Sequence, residues 1–390
     1  MSGGQYVEGS IWFYAPNKGA AIFFAIAFLA TGAVHFWQAV HFHSWRLTGL
    51  YVFCSALFVG GFVARILGAF DYENIIKYIV SIVLSYAAPP LYELGNYYIL
   101  GRILYFVPHC SPIHPGRVLT TFAAISTIIE TLNGIGAAYV ANRALPQNIQ
   151  NTGHTLFKAA LILQLVVIAS FVALATTFYR RCRKNGINHT KVNQPLLTLY
   201  ISTALIFART VYRTVEYFEI ETVDFSAPDF DPSAQSAIIR YEWFFYVFEA
   251  TIMLANSVLI NARHPRRWLP QTTKLYLAKD GISEIMGPGY KEDRGFVATL
   301  LDPFDIYGMI KGRDNATRFW DASPDRSASP KTENVPLSSR EGLRLVDIRP
   351  EYVWNNHRDD KPHPDEDITS PSMLYFPVAT LEIDPGNTAE

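Results

Sequence analysis

The segment PLLTLYISTALIFARTVYRTVEY, residues 195–217, contains the pattern that decides the fold. It is long and apolar enough to cross a bilayer, yet it carries Arg209, Arg213 and Glu216 at i, i+4 and i+7, on one stripe of a helix. A charged side chain at the centre of a spanning helix costs about 2.5–3.5 kcal/mol. Such residues therefore face a bundle interior, a water-filled cavity or the membrane boundary, and function is to be sought there.

The composition of the whole chain also favours a membrane protein. Its 390 residues are 50% hydrophobic and only 17% charged, against about 25% charged residues in a soluble domain. The residues before His264 are strongly apolar, whereas those after it are polar and rich in proline, aspartate and arginine. The net charge of −1 gives no argument for a nucleic-acid partner, and we predict none.

Hydropathy predicts seven membrane helices, because a hydrocarbon core of about 30 Å needs about 20 apolar residues in a helix. We predict an all-α integral membrane protein: a seven-transmembrane helix bundle over 19–263, preceded by an extracellular N-terminus over 1–18. Pro89 and Pro90 lie inside the third segment and predict a kink, or a tilted helix in two pieces. The predicted spans are 19–42, 47–70, 75–107, 118–141, 156–179, 195–217 and 242–262.

Lysine and arginine counts in the loops predict the orientation. The loop after the fifth span and the segment after the seventh are the most basic, which places both in the cytoplasm and the N-terminus outside, in the plasma membrane. Asn188 and Asn315 begin glycosylation sequons on the predicted cytoplasmic side, so modification of either would contradict this topology. The basic residues are Arg180, Arg181, Arg183, Lys184, Lys191, Arg263, Arg266 and Arg267.

The C-terminal tail, 264–390, shows no long periodic helix after about residue 270. We predict a mostly disordered cytoplasmic tail with short docking elements, for instance at 343–348 and 373–376, that binds unknown cytosolic partners. Ser323 and Ser329 each precede a proline and are candidate phosphorylation sites. The alternative is a dispensable, solvated tail.

Charged side chains on the predicted spans form a candidate path for an amphiphile. Three arginines and three glutamates fall in the outer half of the bilayer, where they can pair across a cavity. One hypothesis is a polar chamber that holds the charged head of an amphiphile, and the other is a structural ion-pair network with snorkelling arginines. The candidates are Arg65, Arg209, Arg213, Glu216, Glu242 and Glu249 in the outer half, Glu130 midway, and Glu93 and Arg102 on the inner side.

Metal, cofactor and disulfide chemistry find little support in the sequence. The histidines lack the spacing that gathers ligands around one metal, so interface histidines are favoured and we predict no metal or other cofactor. Cys54, Cys110 and Cys182 do not imply a disulfide framework. Cys182 follows a helix end among basic residues, which makes it either an acylation site or a plain reduced thiol. The histidines in question are His35, His41, His43, His109 and His114.

Several other seven-helix classes are disfavoured. The seventh span has no lysine for a retinal Schiff base, and Asn256-Ser257-Val258 stands where receptors coupled to G proteins have an Asn-Pro-x-x-Tyr turn. The chain has no Gly-x-x-x-x-Gly-Lys-Ser/Thr loop for nucleotide hydrolysis. We therefore do not predict an enzyme, although intramembrane Glu and His leave a zinc-dependent membrane hydrolase as a third alternative.

Four ordered motifs carry a family resemblance. They are Ala88-Pro89 with Tyr98-x-x-Gly101-Arg102, Gly153 through Gln164, Arg209-x-x-Tyr212-Arg213-x-x-Glu216-Tyr217, and Glu242 and Glu249 followed by His264-Pro265. In this order, from about Tyr14 to Pro265, the chain resembles the fungal RTA-like family of lipid-translocating exporters. Residues 58–65 lack the family's acidic residue, and Ala123 and Glu130 stand near its usual Asp and Gln, which indicates a divergent subgroup.

The resemblance implies a function. It implies a flippase-like transporter or exporter of amphipathic lipids, such as sphingoid bases or toxic sterol-like compounds, that contributes to lipid-stress resistance. It adds Tyr212 to the substrate-path candidates, and it implies membrane lipids, amphipathic small molecules and the bilayer as partners. Movement would be facilitated, or coupled to protons through a buried glutamate. The competing class is a seven-helix lipid sensor or receptor that signals through its C-terminal tail.

Overall fold

The computed structural model describes residues 6–7, 10–141, 145–221, 223, 231–270, 272–287, 298–299, 302, 305–312, 318 and 320. Within these ranges seven helices are long and apolar enough to cross a membrane, which confirms the predicted seven-helix integral membrane protein. Six of them are α1 (Lys18–His41), α2 (Trp45–Gly68), α3 (Ile75–Phe106), α4 (Pro115–Ala141), α5 (Gln147–Lys184) and α6 (Thr190–Glu221). The seventh segment, Phe245–Arg267, contains α8 (Ile252–Ala262) and follows the four-residue α7 (Ala237–Arg240).

The helices close into a bundle around α3. Helix α3 contacts α2, α4 and α6, while α8 contacts both α1 and α6 and so joins the two ends of the chain of helices. Stacked aromatic rings fill the α1–α2 interface, where the ring centroids of Phe28 and Phe58 lie 4.2 Å apart. Large apolar side chains such as Phe23 and Ile26 on α1 point outward and are exposed, as expected for a surface that faces lipid.

Local sequence signals set where the helices begin. Asn17 caps α1, because its side-chain oxygen accepts a hydrogen bond from the Ala20 N–H at 3.0 Å. Helix α3 runs without interruption through Pro89 and Pro90 as one helix of 32 residues, rather than as two pieces. Helix α5 has 38 residues and extends beyond both ends of the predicted span 156–179.

The seventh membrane segment begins with a π-helix rather than an α-helix. Residues Phe245–Thr251 form this π-helix, which leads directly into α8. Glu242 lies in the turn that precedes it, outside the helix. Because a π-helix has more residues per turn than an α-helix, it changes the direction in which the following side chains point.

Two glycines allow α4 and α5 to approach closely. A Cβ atom at Gly136 would lie 2.9 Å from the carbonyl oxygen of Gly153, and a Cβ atom at Gly153 would lie 2.9 Å from that of Gly136. Only hydrogen fits between these two backbones. Gly153 belongs to one of the motifs that carry the family resemblance, and its packing supplies a physical reason for a small residue there.

The described part of the tail contains short elements. Strand β1 (Leu275–Leu277) pairs antiparallel with β2 (Glu284–Met286) and contacts α3, and a short helix, α9, covers Ile306–Ile310. The predicted docking elements at 343–348 and 373–376, the two serine-proline sites and the Asn315 sequon lie outside the described residues.

Candidate functional site

The six charged candidates of the predicted outer half form three ion pairs. Arg65 pairs with Glu242, Arg209 with Glu249, and Arg213 with Glu216. The first pair joins α2 to the turn before the π-helix, the second joins α6 to the π-helix, and the third lies within α6. Pairing lowers the cost of holding each charge in the bundle.

We call Tyr14, Asn17, Arg65 and Glu242 the N-terminal clamp. Arg65 is 1% exposed, and its Nη2 lies 2.7 Å from Glu242 Oε1 and 3.2 Å from the Tyr14 hydroxyl. The second carboxylate oxygen of Glu242 accepts a hydrogen bond from the Asn17 N–H at 2.7 Å. Both carboxylate oxygens are therefore engaged, and the clamp ties the segment before α1 to α2 and to the seventh segment.

Aromatic rings enclose the clamp. The guanidinium carbon of Arg65 lies 4.6 Å from the ring centroid of Trp12 and 4.2 Å from that of Phe245, at cation–π distance. Burial raises the pKa of the Tyr14 hydroxyl well above its usual value, with a smaller opposing effect of Arg65. Tyr14 thus remains a neutral acceptor for the arginine. These contacts are typical of a structural ion pair rather than of a ligand-binding site.

The second pair lies at the π-helix. Arg209 Nε lies 2.9 Å and 2.8 Å from the two carboxylate oxygens of Glu249. Glu249 is 0% exposed, in the middle of the π-helix. Short π-helical stretches are rare and occur often at functional sites, and here the stretch carries the carboxylate that binds an arginine of the neighbouring helix.

The third pair extends this arrangement to α3. Arg213 Nη1 donates hydrogen bonds to Glu216 Oε2 and, at 2.6 Å, to the Tyr86 hydroxyl, while the Tyr212 hydroxyl donates to Glu216 Oε1 at 3.0 Å. The ring of Tyr86 lies 3.8 Å from the guanidinium carbon of Arg213 and 5.8 Å from that of Arg209. Tyr86 therefore links both arginines. We call Tyr86, Arg209, Tyr212, Arg213, Glu216 and Glu249 the three-helix cluster, after α3, α6 and the π-helix.

Glu93 lies in a different environment, at the interface of α3 and α5. Its Oε2 accepts hydrogen bonds from the Tyr97 hydroxyl at 3.0 Å and from the side-chain amide of Gln164. The Tyr97 hydroxyl also lies 3.3 Å from Ser126 Oγ on α4. Unlike the glutamates of the ion pairs, Glu93 is held by neutral side chains in the described part of the chain.

A small cavity adjoins this carboxyl. It has a volume of about 10 Å³ and is lined by Glu93, Asn96, Tyr97, Ile168, Phe171, Thr203 and Ile206. A volume of about 10–15 Å³ holds one water molecule. The space is far too small for a lipid head, so any passage of an amphiphile through this part of the bundle requires the helices to separate.

The two remaining candidates lie apart from the three-helix cluster. Arg102 donates a hydrogen bond from Nη2 to the Pro270 carbonyl at 2.7 Å, and Arg266 donates to the same oxygen at 2.9 Å. Arg102 therefore connects α3 to the beginning of the tail rather than to Glu93. Glu130 is half-buried on α4 and forms no ion pair among the residues that the structure describes.

Sequence reasoning missed four members of these networks. Tyr86 carries no charge and fits a membrane helix as an ordinary aromatic residue, so nothing in the pattern marked it. Tyr14 and Asn17 precede the first predicted span, where hydropathy gives no sign of a buried polar contact. Gln164 belongs to one of the family motifs. Its amide inside a membrane helix is the signal that could have predicted the buried polar contact with Glu93.

The histidines and cysteines have packing roles. His35 Nε2 lies 3.1 Å from Ser257 Oγ, which connects α1 to α8. Within the described ranges no three His, Cys, Asp or Glu side chains converge in a way that could hold a metal ion. Cys182 lies within α5 rather than past the end of a helix, and its burial shields the thiol, which favours the plain reduced thiol over the acylation site. Cys110 is also buried and accepts a hydrogen bond from the Asn185 side chain at 3.3 Å.

Comparisons with known proteins connect this architecture to a family. Residues 51–272 match the family model described as RTA1 like protein. A Leptosphaeria maculans protein named Lipid-translocating exporter-like protein RTA1 is 40% identical over 315 residues, which cover 78% of this chain and 60% of that protein. An Ajellomyces capsulatus protein of the same name is 26% identical over 246 residues, 60% of this chain and 73% of that protein.

A third relative has a different name. The Saccharomyces cerevisiae Protoporphyrin uptake protein 1 is 25% identical over 200 residues, 50% of this chain and 60% of that protein. The chain thus spans less than two thirds of the length of the first relative and of this one. No solved structure matches the chain. The family match, which covers more than half of the chain, confirms the resemblance found in the motifs: this seven-helix membrane protein belongs to the RTA1-like family.

Proposed function

We propose that this chain moves amphipathic lipids across the membrane as a flippase-like exporter, and that the three-helix cluster binds the polar head of the substrate. The observation that carries the proposal is the position of two arginines and two glutamates in the bundle, on α6 and the π-helix. The names of two relatives, Lipid-translocating exporter-like protein RTA1, support the same class of activity.

The pairs suggest how a head group is recognised. An ammonium head competes with Arg209 for the carboxylate of Glu249, whereas an anionic head competes with that carboxylate for the arginine. A substrate that brings its own charge can therefore open the pair while one of the two ions keeps a charged partner. The other ion, which is Arg209 when the head is an ammonium, needs a hydrogen-bond acceptor such as a hydroxyl group of the substrate. Sphingoid bases, which carry an ammonium head, fit this exchange, and their export would contribute to resistance against lipid stress.

The same arrangement suits the compound in the name of the Saccharomyces cerevisiae relative. Protoporphyrin, named in the Saccharomyces cerevisiae relative, is a planar amphiphile with carboxylates, and for this chain such a molecule would exchange at the arginines. Toxic sterol-like compounds remain the second proposed substrate class.

The N-terminal clamp serves as an internal control for this proposal. Arg65 and Glu242 were candidates for the path, but their aromatic enclosure leads us to assign them a structural role. Glu242→Gln and Glu249→Gln make the same chemical change in two buried ion pairs. Any difference in transport between the two variants therefore reports on the site rather than on the loss of a carboxylate.

The experiment is transport in liposomes. The purified full-length protein is reconstituted, and transbilayer movement of a fluorescent sphingoid base is followed by a membrane-impermeant quencher. We expect Glu249→Gln and Arg213→Gln to slow movement at least tenfold, and Glu242→Gln to slow it less than twofold, when rates are normalised to folded protein. Equal losses in all three variants would contradict the assignment and support a purely structural network.

Energy coupling requires a separate measurement. Glu93 is the carboxyl that we assign to proton coupling, since neutral groups rather than an arginine hold it. Proton-coupled movement depends on a pH gradient across the liposome, and Glu93→Gln is expected to abolish that dependence. Facilitated movement would be independent of the pH gradient both in the wild-type protein and in the Glu93→Gln variant. Glu130, which is half-buried and forms no ion pair in the described part of the chain, is the proposed midway point of the path and is tested by Glu130→Gln in the same assay.

The orientation is a further part of the proposal. The distribution of lysine and arginine supports an N-terminus outside and a cytoplasmic C-terminus. The plasma membrane is the proposed location. Single cysteines introduced at the two ends and labelled with an impermeant reagent in intact cells test this orientation. Labelling of the C-terminal end alone would contradict it.

A lipid sensor that signals through the tail is the second candidate function. The contact that favours it is the hydrogen bonding of Arg102 and Arg266 to the Pro270 carbonyl, which connects α3 to the tail. Arg102→Gln in the full chain distinguishes the two functions. A transporter keeps moving the sphingoid base, whereas a sensor keeps binding it but loses its cellular response.

A further inference from the structure

A second and larger cavity lies at the end of the bundle where α3 ends and α4 begins. Its volume is about 560 Å³, within the range of about 300–1,000 Å³ typical of small-molecule sites. The connection from Pro108 to His114 forms one wall, and residues of the tail form another. Since α3 starts near the N-terminal clamp and spans the bundle, this cavity lies on the opposite side of the membrane from the clamp.

Basic side chains dominate the lining. None of the lining residues that the structure describes is a carboxylic acid. Of the nearby carboxylates, Asp305 pairs with Arg117 at 3.2 Å, while Asp280 accepts hydrogen bonds from two backbone N–H groups of its own turn, each at 2.9 Å. Among the described residues, the lining of the cavity therefore carries more basic than acidic groups. The basic lining residues are His109, His114, Arg117, Arg181, Lys279 and Arg318.

The two membrane-helix arginines are held at the boundary of the bundle. Arg117 lies in the first turn of α4, and Arg181 lies in the last turn of α5, which packs beside α4. Arg181 Nη1 donates a hydrogen bond to the Ser111 carbonyl at 3.2 Å, which orients the guanidinium. Both arginines thus lie at the ends of helices that are long and apolar enough to span a membrane.

Two further features suit a ligand with a polar ring. His109 Nε2 is buried and has no hydrogen-bond partner within the described part of the chain. Trp320 adds an aromatic surface, with its ring centroid 5.6 Å from that of His114. The cavity therefore combines cationic donors, an unused nitrogen and an apolar wall, the combination expected of a ligand site rather than of a solvated basic patch.

We propose that this basic pocket binds a multiply phosphorylated head group. Arginine guanidinium groups match phosphate oxygens in geometry, and several cations around one cavity favour a ligand with more than one negative charge. Basic pockets between membrane helices on the cytoplasmic side are known to bind phosphorylated lipid heads. The shared chemistry is a phosphomonoester, which comes either from a lipid of the bilayer or from a soluble polyphosphate. The site is separate from the three-helix cluster and does not depend on transport.

The test measures binding by the full-length protein in phosphatidylcholine nanodiscs. One arm adds phosphatidylinositol 4,5-bisphosphate to the lipid of the nanodisc. The other arm adds soluble inositol 1,4,5-trisphosphate to the same protein in nanodiscs of phosphatidylcholine alone. The variant is Arg181→Gln, which changes an exposed residue, and its matched control is Arg183→Gln, two residues away on the same exposed helix end and outside the lining. Far-UV circular dichroism checks that both variants are folded.

We expect saturable binding in at least one arm, a loss of at least tenfold in affinity for Arg181→Gln, and a loss of less than twofold for Arg183→Gln. Binding in the lipid arm alone identifies a membrane lipid as the source of the phosphate, and binding of the soluble probe identifies a polyphosphate. Absence of binding in both arms would overturn the proposal. Equal losses in the two variants would also overturn it, since they would show attraction to the basic surface in general.

Discussion

Removing the carboxylate of Glu249 should destabilise the bundle by an amount that the structure allows us to calculate. The side chain of Glu249 is 0% exposed and that of Arg209 is 11% exposed, with 2.8 Å between the paired atoms. At an effective dielectric constant of about 20, unit charges about 4 Å apart attract each other by about 4 kcal/mol. Glu249→Gln removes this attraction and leaves a buried guanidinium, so we expect the free energy of unfolding to fall by about 3–5 kcal/mol.

The double variant sharpens the prediction. Arg209→Gln alone leaves a buried carboxylate and should cost about as much as Glu249→Gln. The combination Arg209→Gln/Glu249→Gln replaces the ion pair by two neutral amides, and replacing a whole buried pair is often close to neutral. We therefore expect the double variant to recover most of the lost stability, with a coupling energy of about 3 kcal/mol in the double-mutant cycle.

The assay is unfolding in mixed micelles by titration with sodium dodecyl sulfate, followed by far-UV circular dichroism. Glu284→Gln serves as the control, because it makes the same substitution in the exposed pair of Glu284 with Lys191, and exposed pairs contribute about 0–1 kcal/mol. A double variant that loses the sum of the two single losses would refute the reasoning, since the two side chains would then not interact.

Two further predictions follow from packing and from a thiol contact. Gly136→Ala should lower the free energy of unfolding by about 1–3 kcal/mol, because its Cβ would lie 2.9 Å from a carbonyl of α5, whereas Gly134→Ala, with nothing within 4 Å, should stabilise the helix by up to about 1 kcal/mol. The same titration measures both, and equal effects would contradict the close approach of α4 and α5. Contact with Cys182, which outweighs burial, lowers the pKa of the Cys110 thiol below its usual value, so the thiolate persists to lower pH. Cys182→Ala removes this hydrogen-bond donor, so it should raise that pKa and shift the pH dependence of Cys110 alkylation by iodoacetamide to higher pH; an unchanged profile would contradict the contact.

The existence of the seven helices followed from hydropathy because the bilayer imposes a single requirement, about 20 apolar residues with an internally bonded backbone. The positions at which the helices end could not be predicted from hydropathy. Helix α5 continues to Lys184, well past the predicted end of the span at residue 179, because a helix can extend into water where its residues no longer need to be apolar. Hydropathy detects the part of a helix that lies in the membrane, not the full length over which the helical backbone hydrogen bonds continue.

The pairing of charges depended on geometry that the sequence does not contain. Glu242, Glu249 and Asn256 are spaced for one face of an α-helix, but Glu242 precedes the π-helix and Glu249 lies within it. Their partners consequently lie on different helices, Arg65 on α2 and Arg209 on α6. A π-helix depends on the packing of the whole segment, and no single residue in Phe245–Thr251 predicts it.

The charge balance of the three-helix cluster also distinguishes the two proposed substrate classes. Separating Arg209 from Glu249 exposes two ions to an apolar interior, which is unfavourable unless each ion finds a new partner. A sphingoid base supplies an ammonium for the carboxylate and hydroxyl groups for neighbouring donors, whereas a neutral sterol supplies no charge. We therefore expect an unlabelled sphingoid base to compete with its fluorescent analogue for movement across the liposome, and a neutral sterol at the same concentration to have no effect. Equal competition by the sterol would mean that hydrophobic contacts, rather than the buried ion pairs, select the substrate.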